Sequence, residues 1–189
     1  HILNEGHLTQ CYKALKKNKA RGIDGVTVEE YGVNLEKNLK ELVSKMKALH
    51  YYPQAVRRVY IPKGEGKVRG IGIPSVEDKI VQMGAKRILE AIYEVDFSDS
   101  SYGFRPGRGC HEALKELDKT IGTKPIKAIV EVDIEKFFDN VDHKKLIECL
   151  KERISDPNFL RLIVRFLKAG IIEDGEYRET DKGTPQGGV

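Results

Sequence analysis

The sequence predicts an α+β fold in which an antiparallel sheet is packed with helices. Two β-branched runs, Val56 to Ile61 and Val68 to Ile73, flank the stretch Lys63-Gly-Glu-Gly-Lys67, which predicts a hairpin with a basic tip. Strands and helices do not alternate regularly along the chain, so a doubly wound parallel sheet is not expected. One long segment has apolar residues at helical spacing, namely Leu35, Leu39, Leu42, Val43, Met46 and Leu49.

Helix signals also occur on both sides of the predicted hairpin. The opening segment has helical spacing at Leu8, Tyr12 and Leu15. Thr27 with Glu30 forms a capping-box pattern ahead of the long helix. After the hairpin, Ser75 is expected to cap a helix that ends near Tyr93. The first half of the chain is therefore predicted to be a hairpin between helices.

The second half of the chain is predicted to add one strand, three helices and a small hairpin. Ala128 to Val132 is rich in β-branched residues and predicts a buried strand that ends on Asp133. Asp142 and Asp156-Pro157 are typical helix starts, and Asp174-Gly175 is typical of a hairpin turn. The remaining helix is indicated by the apolar residues Ala113, Leu114, Leu117 and Ile121.

The composition suits one domain or two small subdomains that share a core, since the chain has 189 residues, 40% hydrophobic and 33% charged. A net charge of +4 is compatible with a polyanionic partner but is also common in proteins without one. The three cysteines and five histidines of the chain lack disulfide or metal-ligand spacing. Because no signal peptide or run of roughly 18 apolar residues occurs, a cytoplasmic protein without a membrane partner is expected.

Asp133 is the candidate residue for chemistry, because it follows the predicted strand. Phosphoryl transfer by two metal ions needs carboxylates fixed so that they bridge ions about 3.5 to 4 Å apart, and the end of a buried strand holds a side chain rigidly. An aspartate in this position also caps ordinary turns, and the nearby Phe137 and Phe138 suit a core. From these residues alone, both interpretations stay open.

Five segments occur in the order in which reverse transcriptases carry them. They are Val59-Tyr-Ile-Pro-Lys63, Val68-Arg69-Gly-Ile-Gly-Ile-Pro74, Tyr102-Gly-Phe-Arg-Pro106, Asp133 with the aromatic Phe138 five positions later, and Gly183-Thr-Pro-Gln-Gly-Gly188. The chain resembles this family along nearly its whole length. Two further runs, Ala20-Arg-Gly-Ile-Asp-Gly-Val26 and Asp139-Asn-Val-Asp-His143, resemble the branch encoded by bacterial group II introns.

The resemblance implies an incomplete right hand, with fingers and part of a palm and without a thumb. Residues 1–93 and 143–180 would form the fingers with the N-terminal extension, and residues 94–142 and 181–189 the palm. In the family a second set of catalytic carboxylates lies in a Tyr/Phe-Ala-Asp-Asp hairpin beyond the position of Gly188. The chain is therefore expected to be part of a longer protein and to be inactive in polymerisation by itself. Apolar surface left without the thumb would favour a homodimer.

The resemblance also implies roles for single residues. Asp133 and the backbone carbonyl of Ile134 would bind two Mg²⁺ ions, which prefer hard oxygen ligands. Lys63 and Arg69, on the two arms of the hairpin, would hold the incoming triphosphate with one point charge and one planar fork. A solvated basic turn is the alternative interpretation of these two residues.

Phe138 would pack beneath the deoxyribose and exclude a 2′-hydroxyl, and Gln186 would border the nucleotide pocket. A core aromatic and an ordinary turn glutamine are the alternatives. In the family, the N-terminal extension and the adjoining fingers contact RNA, so phosphate contacts are expected here, although a solvated surface position is the simpler interpretation for each single residue. The candidates are Lys13, Lys16, Lys17, Lys19, Arg21, Arg105 and Arg108.

The function implied by the resemblance is that of an RNA-directed DNA polymerase, a nucleotidyltransferase, from a bacterial group II intron. Its complete form would also act as a maturase in RNA splicing. The expected partners are the intron RNA, an RNA template with a DNA primer, and deoxynucleoside triphosphates. Two alternatives stay open: a relative that binds the intron but has lost polymerisation, and a reverse transcriptase of the retron or diversity-generating type.

Overall fold

The computed structural model of the chain describes residues 2–64 and 66–184. Among these residues, no helix is long and apolar enough to cross a membrane. The elements are α1 (Glu5–Ala14), α2 (Val28–Val33), α3 (Leu35–Lys47), β1 (Val56–Gly64), β2 (Lys67–Ile73), α4 (Val76–Tyr93), α5 (Cys110–Thr123), a 3₁₀ helix (Phe138–Asn140), α6 (His143–Lys151), α7 (Pro157–Leu167), β3 (Ile171–Glu173) and β4 (Glu176–Arg178).

The chain divides into two units. Unit 1 consists of His1–Lys86 and Lys136–Val189, and unit 2 of Arg87–Glu135. The boundary between residues 86 and 87 falls inside α4. The assignment of residues 1–93 and 143–180 to fingers, and of the remainder to a palm, stays a prediction.

The predicted capping signals begin three of the helices. The Glu30 N–H donates to Thr27 Oγ1 at 3.1 Å, and the Thr27 N–H donates to the Glu30 carboxylate at 2.7 Å. At the start of α6, Asp142 accepts from the N–H of Lys145 at 3.0 Å, and Asp156 accepts from two N–H groups of α7 in the same way. These bonds satisfy donors that the first turn of a helix leaves without intrahelical partners. The predicted helix starts are thereby confirmed.

The core of unit 1 is built mainly from helical faces. The apolar spacing predicted for α1 and α3 is confirmed within the two helices, where the side chains on those faces are buried or partly buried, whereas Leu15 and Leu49 lie beyond the helix ends. Burial of one such side chain contributes roughly 1.5 to 3 kcal/mol. The buried residues that the helices contribute to this cluster are Leu8, Cys11, Val28, Tyr31, Leu39, Leu42, Val43, Val76, Ile80, Val81 and Leu162.

The four strands form one sheet in the order β2-β1-β3-β4. The predicted hairpins β1–β2 and β3–β4 are antiparallel, and the second turns at Asp174-Gly175. The expectation of an entirely antiparallel sheet is wrong, because Val56 and Arg57 pair in parallel with Ile171 and Ile172. A parallel pair requires a long crossover connection rather than a tight turn, so turn signals in the sequence do not reveal it.

The prediction of a strand from Ala128 to Val132 is also wrong. Residues 125–134 contain no strand, and the side chains of Ile129, Val130 and Val132 are exposed. A strand requires a hydrogen-bonded neighbour, and this segment pairs with no other part of the described chain. None of the residues 87–135 is buried, so β-propensity in this segment is not supported by packing.

The run Ala20 to Val26 is a loop that packs directly in front of α4. A Cβ at Gly22 would lie 2.6 Å from the Cα of Ser75 and 2.9 Å from the carbonyl oxygen of Pro74. Within the loop, the Asp24 side chain accepts from the N–H of Val26 at 3.2 Å. Contact between the two backbones is therefore possible only because residue 22 has no side chain.

Gly22→Ala should lower the free energy of unfolding by about 1 to 3 kcal/mol, because the added methyl group overlaps backbone atoms rather than a flexible side chain. The matched control is Gly6→Ala in α1, where the nearest atom is 3.4 Å from the added Cβ and alanine favours the helix. Urea unfolding of both variants measures the difference. Equal stability of the two variants would contradict the close packing of this loop.

Candidate functional site

Lys63 and Arg69 lie on opposite arms of the β1–β2 hairpin. Ile61 pairs with Arg69, and the register shifts between Pro62 and Gly64, which makes Lys63 the extra residue of a bulge. A bulge changes the direction of its side chain relative to the regular alternation of a strand. Both cationic side chains are exposed to solvent. The hairpin can therefore present them to an anion, although their binding of a triphosphate stays a prediction.

Polar side chains tie this hairpin to β3 and β4. The Tyr60 hydroxyl donates to one carboxylate oxygen of Glu173, and Arg178 Nη1 donates to the other at 2.6 Å. The bond from Tyr60, assisted by Arg178, lowers the pKa of Glu173 below its usual value. The guanidinium carbon of Arg58 lies 5.9 Å from the centre of the Tyr60 ring. The same side chain lies over Gly70 of β2, where an added Cβ would be 2.7 Å from Arg58 Nε. These contacts connect all four strands.

Phe138 lies on a tight turn that begins at Lys136. The Lys136 carbonyl accepts from the backbone N–H groups of Asp139 and Asn140, at 3.1 and 3.2 Å. The φ angle of Lys136 is +50°, which is uncommon for a residue other than glycine. The Phe138 side chain is 46% exposed, and its ring lies edge-on to Phe137 with 5.6 Å between the centres. This exposure argues against a role of Phe138 in the core.

Residues 182–184 pair with the turn that carries Phe138. The Thr184 N–H donates to the Phe138 carbonyl at 2.8 Å. Gly183 has a φ angle of +81°, and a Cβ there would lie 3.0 Å from the Phe138 carbonyl oxygen. Glycine is therefore required both by the backbone conformation and by the close approach. Gln186 lies outside the described residues, so its place at the nucleotide pocket stays a prediction.

Side chains from the run 139–143 support this pairing. His143 Nε2 lies 2.7 Å from the Gly183 carbonyl oxygen, and Lys182 Nζ donates to Asn140 Oδ1 at 3.0 Å. Sequence reasoning used this run as a mark of the intron branch and Asp142 as a helix start, and it missed the contacts of Asn140 and His143 with residues 182–183. The available signal was a cluster of polar residues directly after the two phenylalanines.

Asp133 lies in unit 2 and is exposed. Its expected position at the end of a buried strand is wrong, since the preceding segment is neither a strand nor buried. Across residues 2–64 and 66–184, no group of three or more His, Cys, Asp or Glu side chains could hold a metal ion. Asp133 and the Ile134 carbonyl offer three oxygen atoms at most, whereas each Mg²⁺ ion requires six ligands in octahedral geometry. The described residues therefore do not form the predicted two-ion site by themselves.

The basic residues at the end of α1 and in the loop after it lie on the surface, and the end of that loop is anchored by two side-chain bonds to its backbone. Arg57 Nη2 donates to the carbonyl of Arg21 at 2.6 Å, and Lys79 Nζ donates to the carbonyl of Ala20 at 3.1 Å. Contact with RNA stays a prediction for this group. The exposed cations are Lys13, Lys16, Lys17, Lys19 and Arg21.

Arg105 and Arg108 bind partners within unit 2. Arg105 Nη2 lies 2.8 Å from Glu94 Oε1, and Arg105 Nη1 donates to two serine carbonyls of the loop 94–108. The bond from Arg105 lowers the pKa of Glu94. Arg108 Nη2 pairs with Asp99 at 3.0 Å. The two guanidinium groups thus hold the loop internally, and an RNA contact by Arg105, which stays a prediction, would compete with these bonds.

The chain belongs to the reverse transcriptase family. Residues 61–189 match the family described as "Reverse transcriptase (RNA-dependent DNA polymerase)". This stretch begins within β1 and includes both Asp133 and the turn that carries Phe138. The match confirms the family inferred from the five ordered motifs.

Intron-encoded proteins are among the similar sequences. The chain is 42% identical over 180 residues to "Group II intron-encoded protein LtrA" of Lactococcus lactis subsp. cremoris, with 95% of the chain and 30% of that protein covered. It is 39% identical over 171 residues to "Protein YkfC" of Escherichia coli (strain K12), covering 89% and 45%. It is 32% identical over 107 residues to "Nuclear intron maturase 1, mitochondrial" of Arabidopsis thaliana, covering 55% and 15%. The chain spans less than half the length of these relatives.

Gly183→Ala should separate residues 182–184 from the turn at Phe138. We expect the free energy of unfolding to fall by about 1 to 3 kcal/mol more than in Gly175→Ala. Gly175 has a similar φ angle of +85°, but no atom lies within 4 Å of a Cβ added there. Hydrogen exchange gives the local measurement: the Thr184 amide should lose protection in the Gly183 variant and keep it in the Gly175 variant. Unchanged protection of Thr184 in both would contradict the pairing.

Proposed function

We propose that the chain carries nucleotide-binding elements of an RNA-directed DNA polymerase encoded by a bacterial group II intron, acting in the cytoplasm. The family supports nucleotidyl transfer as the reaction, and the names of the relatives support an intron as the source. The bond from the Thr184 N–H to the Phe138 carbonyl carries the proposal, because it joins two of the motifs assigned to one nucleotide pocket. The same protein would act as a maturase, as the name of one relative suggests.

Lys63 and Arg69 would receive the triphosphate of the incoming deoxynucleotide. The ammonium group is a compact point charge and the guanidinium a planar fork, so together they can bind phosphate oxygens at different positions. The exposure of Lys63 and Arg69 leaves room for a ligand. The hydrogen bond between Tyr60 and Glu173 limits the motion of β1, the strand that carries Lys63. A solvated turn would be exposed in the same way, so the family match is what supports a binding role.

Phe138 would contact the sugar of the same nucleotide. Its ring projects from a turn that is closed by bonds to the Lys136 carbonyl and braced by Thr184. A fixed, half-exposed ring can exclude a 2′-hydroxyl, whereas a mobile ring would move aside. The neighbouring segment 185–188 would form another wall of the pocket through Gln186.

Asp133 and the carbonyl of Ile134 would contribute oxygen ligands to a pair of Mg²⁺ ions. Bound Mg²⁺ would supply positive charge that stabilises the transferring phosphoryl group. Since the described residues do not complete such a site, the proposal requires further carboxylates from the longer protein, meaning a protein that contains this chain and the remaining length seen in its relatives. The template, the primer and the intron RNA would likewise bind to that longer protein.

The basic group at residues 13–19 should contribute to RNA binding through phosphate contacts. Changing Lys13, Lys16, Lys17 and Lys19 to glutamine should reduce the slope of log Kd against log salt by roughly 3 to 4, if each contacts one phosphate. A matched control changes four exposed lysines elsewhere, Lys37, Lys40, Lys47 and Lys151, with the same loss of charge. Fluorescence anisotropy with structured RNA between 50 and 200 mM salt measures both slopes. Equal slopes for the two variants would contradict a specific role of this group.

Phe138→Ala in the longer protein should increase the use of ribonucleotides relative to deoxynucleotides by on the order of 10²-fold, because space opens beneath the sugar. Phe137→Ala is the matched control, since this neighbour is similarly exposed. Primer extension measures the selectivity, and thermal melting shows whether either variant loses stability. A Phe138 variant that melts at nearly the temperature of the unchanged longer protein and still excludes ribonucleotides would contradict the proposal.

The same primer-extension measurement tests the alternative function. A longer protein that binds RNA but extends no primer would favour a maturase that has lost polymerisation.

A further inference from the structure

The segment from Leu49 to Gln54 links α3 to β1 and has no regular secondary structure. It leads directly into the strand that carries Lys63. Two helices hold this segment from different parts of the chain, α4 through Asp78 and α7 through Arg165. Sequence reasoning assigned no role to either residue beyond helix formation.

Asp78 holds the segment through its buried carboxylate. Tyr51 Oη donates to Asp78 Oδ1 at 2.5 Å, and the Gln54 N–H donates to Asp78 Oδ2 at 3.0 Å. The carboxylate belongs to a residue that is only 2% exposed, and the ring of Tyr51 is similarly buried. The backbone N–H of Asp78 donates to Ser75 Oγ at 3.1 Å, which anchors the residue in the first turn of α4. The bond partners of both carboxylate oxygens are therefore specified by the fold.

Arg165 holds the same segment through its guanidinium group. Its Nη1 donates to the carbonyl of Tyr51 at 2.6 Å, and its Nη2 donates to the carbonyl of Leu49 at 2.8 Å. The guanidinium carbon lies 4.0 Å from the centre of the Tyr52 ring, which adds a cation–π contact. Leu49 has a φ angle of +60°, an uncommon conformation that the surrounding bonds must maintain.

We propose that Asp78 and Arg165 are positioning residues for nucleotide binding, because together they fix the segment from which β1 begins. The proposal rests on the proposed function of Lys63 and Arg69. Tyr51 is the link between the two positioning residues, since its hydroxyl binds α4 and its carbonyl binds α7.

The length of β1 explains why this distant contact matters. Lys63 lies nine residues beyond Gln54, which corresponds to about 30 Å in a strand. A rotation of roughly 2° at Gln54 would move the far end of such a strand by about 1 Å, and a shift of that size weakens hydrogen bonds to a ligand, because their length varies by only about 0.5 Å. The connection to β3 through Tyr60 limits bending but does not fix the segment before Val56.

Tyr51→Phe in the longer protein tests the proposal, because it removes one hydroxyl and keeps the buried ring. We expect the KM for deoxynucleotides to rise about 3- to 10-fold, while kcat and the affinity for template and primer change less than about twofold. Arg165→Lys keeps the charge but loses the planar fork and should shift KM in the same direction. If either variant folds poorly, the other still provides the measurement.

Tyr31→Phe is the matched control for a purely structural effect. Tyr31 is also a buried tyrosine, and its hydroxyl donates at 3.3 Å to Glu77, the neighbour of Asp78 in α4. It lies in α2 and not in the segment before β1. Loss of this hydroxyl should lower the melting temperature and leave the KM unchanged. An equal rise in KM for Tyr31→Phe and Tyr51→Phe would overturn the positioning role.

Lys63→Ala and Arg69→Ala separate failure of this inference from failure of the proposed function. If neither substitution raises the KM for deoxynucleotides, the triphosphate site lies elsewhere and the proposed function of the hairpin is wrong. If they raise KM while Tyr51→Phe and Arg165→Lys leave it unchanged, only the positioning role is wrong. A rise in KM for all four variants, with Tyr31→Phe unchanged, supports both.

Discussion

Unit 1 depends on the first turn of α4, where three separate segments of the chain meet. The loop containing Gly22 lies against the backbone in front of this helix, Asp78 binds Tyr51, and Glu77 binds Tyr31. Burial raises the pKa of both carboxyl groups, so each is costly as a carboxylate. Hydroxyl donors and the positive end of the helix dipole offset that cost. The turn therefore supports the basic loop, α2 and the origin of β1 together.

The proposed functional side chains lie at exposed positions that this framework supports. Lys63 and Arg69 are on a hairpin whose first strand begins beside the α4 turn and pairs with β3. Phe138 lies on a turn that the segment 182–184 braces after the chain leaves β4. Rigid elements that present exposed side chains on turns are the usual arrangement of binding sites. The described residues thus hold the proposed nucleotide contacts in place, whereas the proposed metal site requires more of the longer protein.

Local features of this fold could be predicted from the sequence, because single residues specify them. Thr27 and Asp142 mark helix starts through bonds to nearby N–H groups, and the β1–β2 hairpin follows from its alternating runs and glycine-rich turn. Contacts between distant segments could not be predicted in this way. The parallel pairing of β1 with β3 has no local signal, and the run 128–132 has β-propensity but no strand partner. Asp78 lies seven residues before the buried Ala85 and therefore on the same, buried face of α4. A charged residue at that helical spacing was the available sign that Asp78 has a buried partner.

In the proposed function, the β1–β2 hairpin and the turn at Phe138 line one pocket for a deoxynucleoside triphosphate. Photo-crosslinking can locate this pocket, with an azido-substituted deoxynucleotide bound to the longer protein in the presence of template and primer. Peptide mapping should place the adducts within residues 59–73 and 136–140, and an excess of unmodified deoxynucleotide should abolish them. Adducts that fall only outside these two segments, and are still removed by the competitor, would contradict the account.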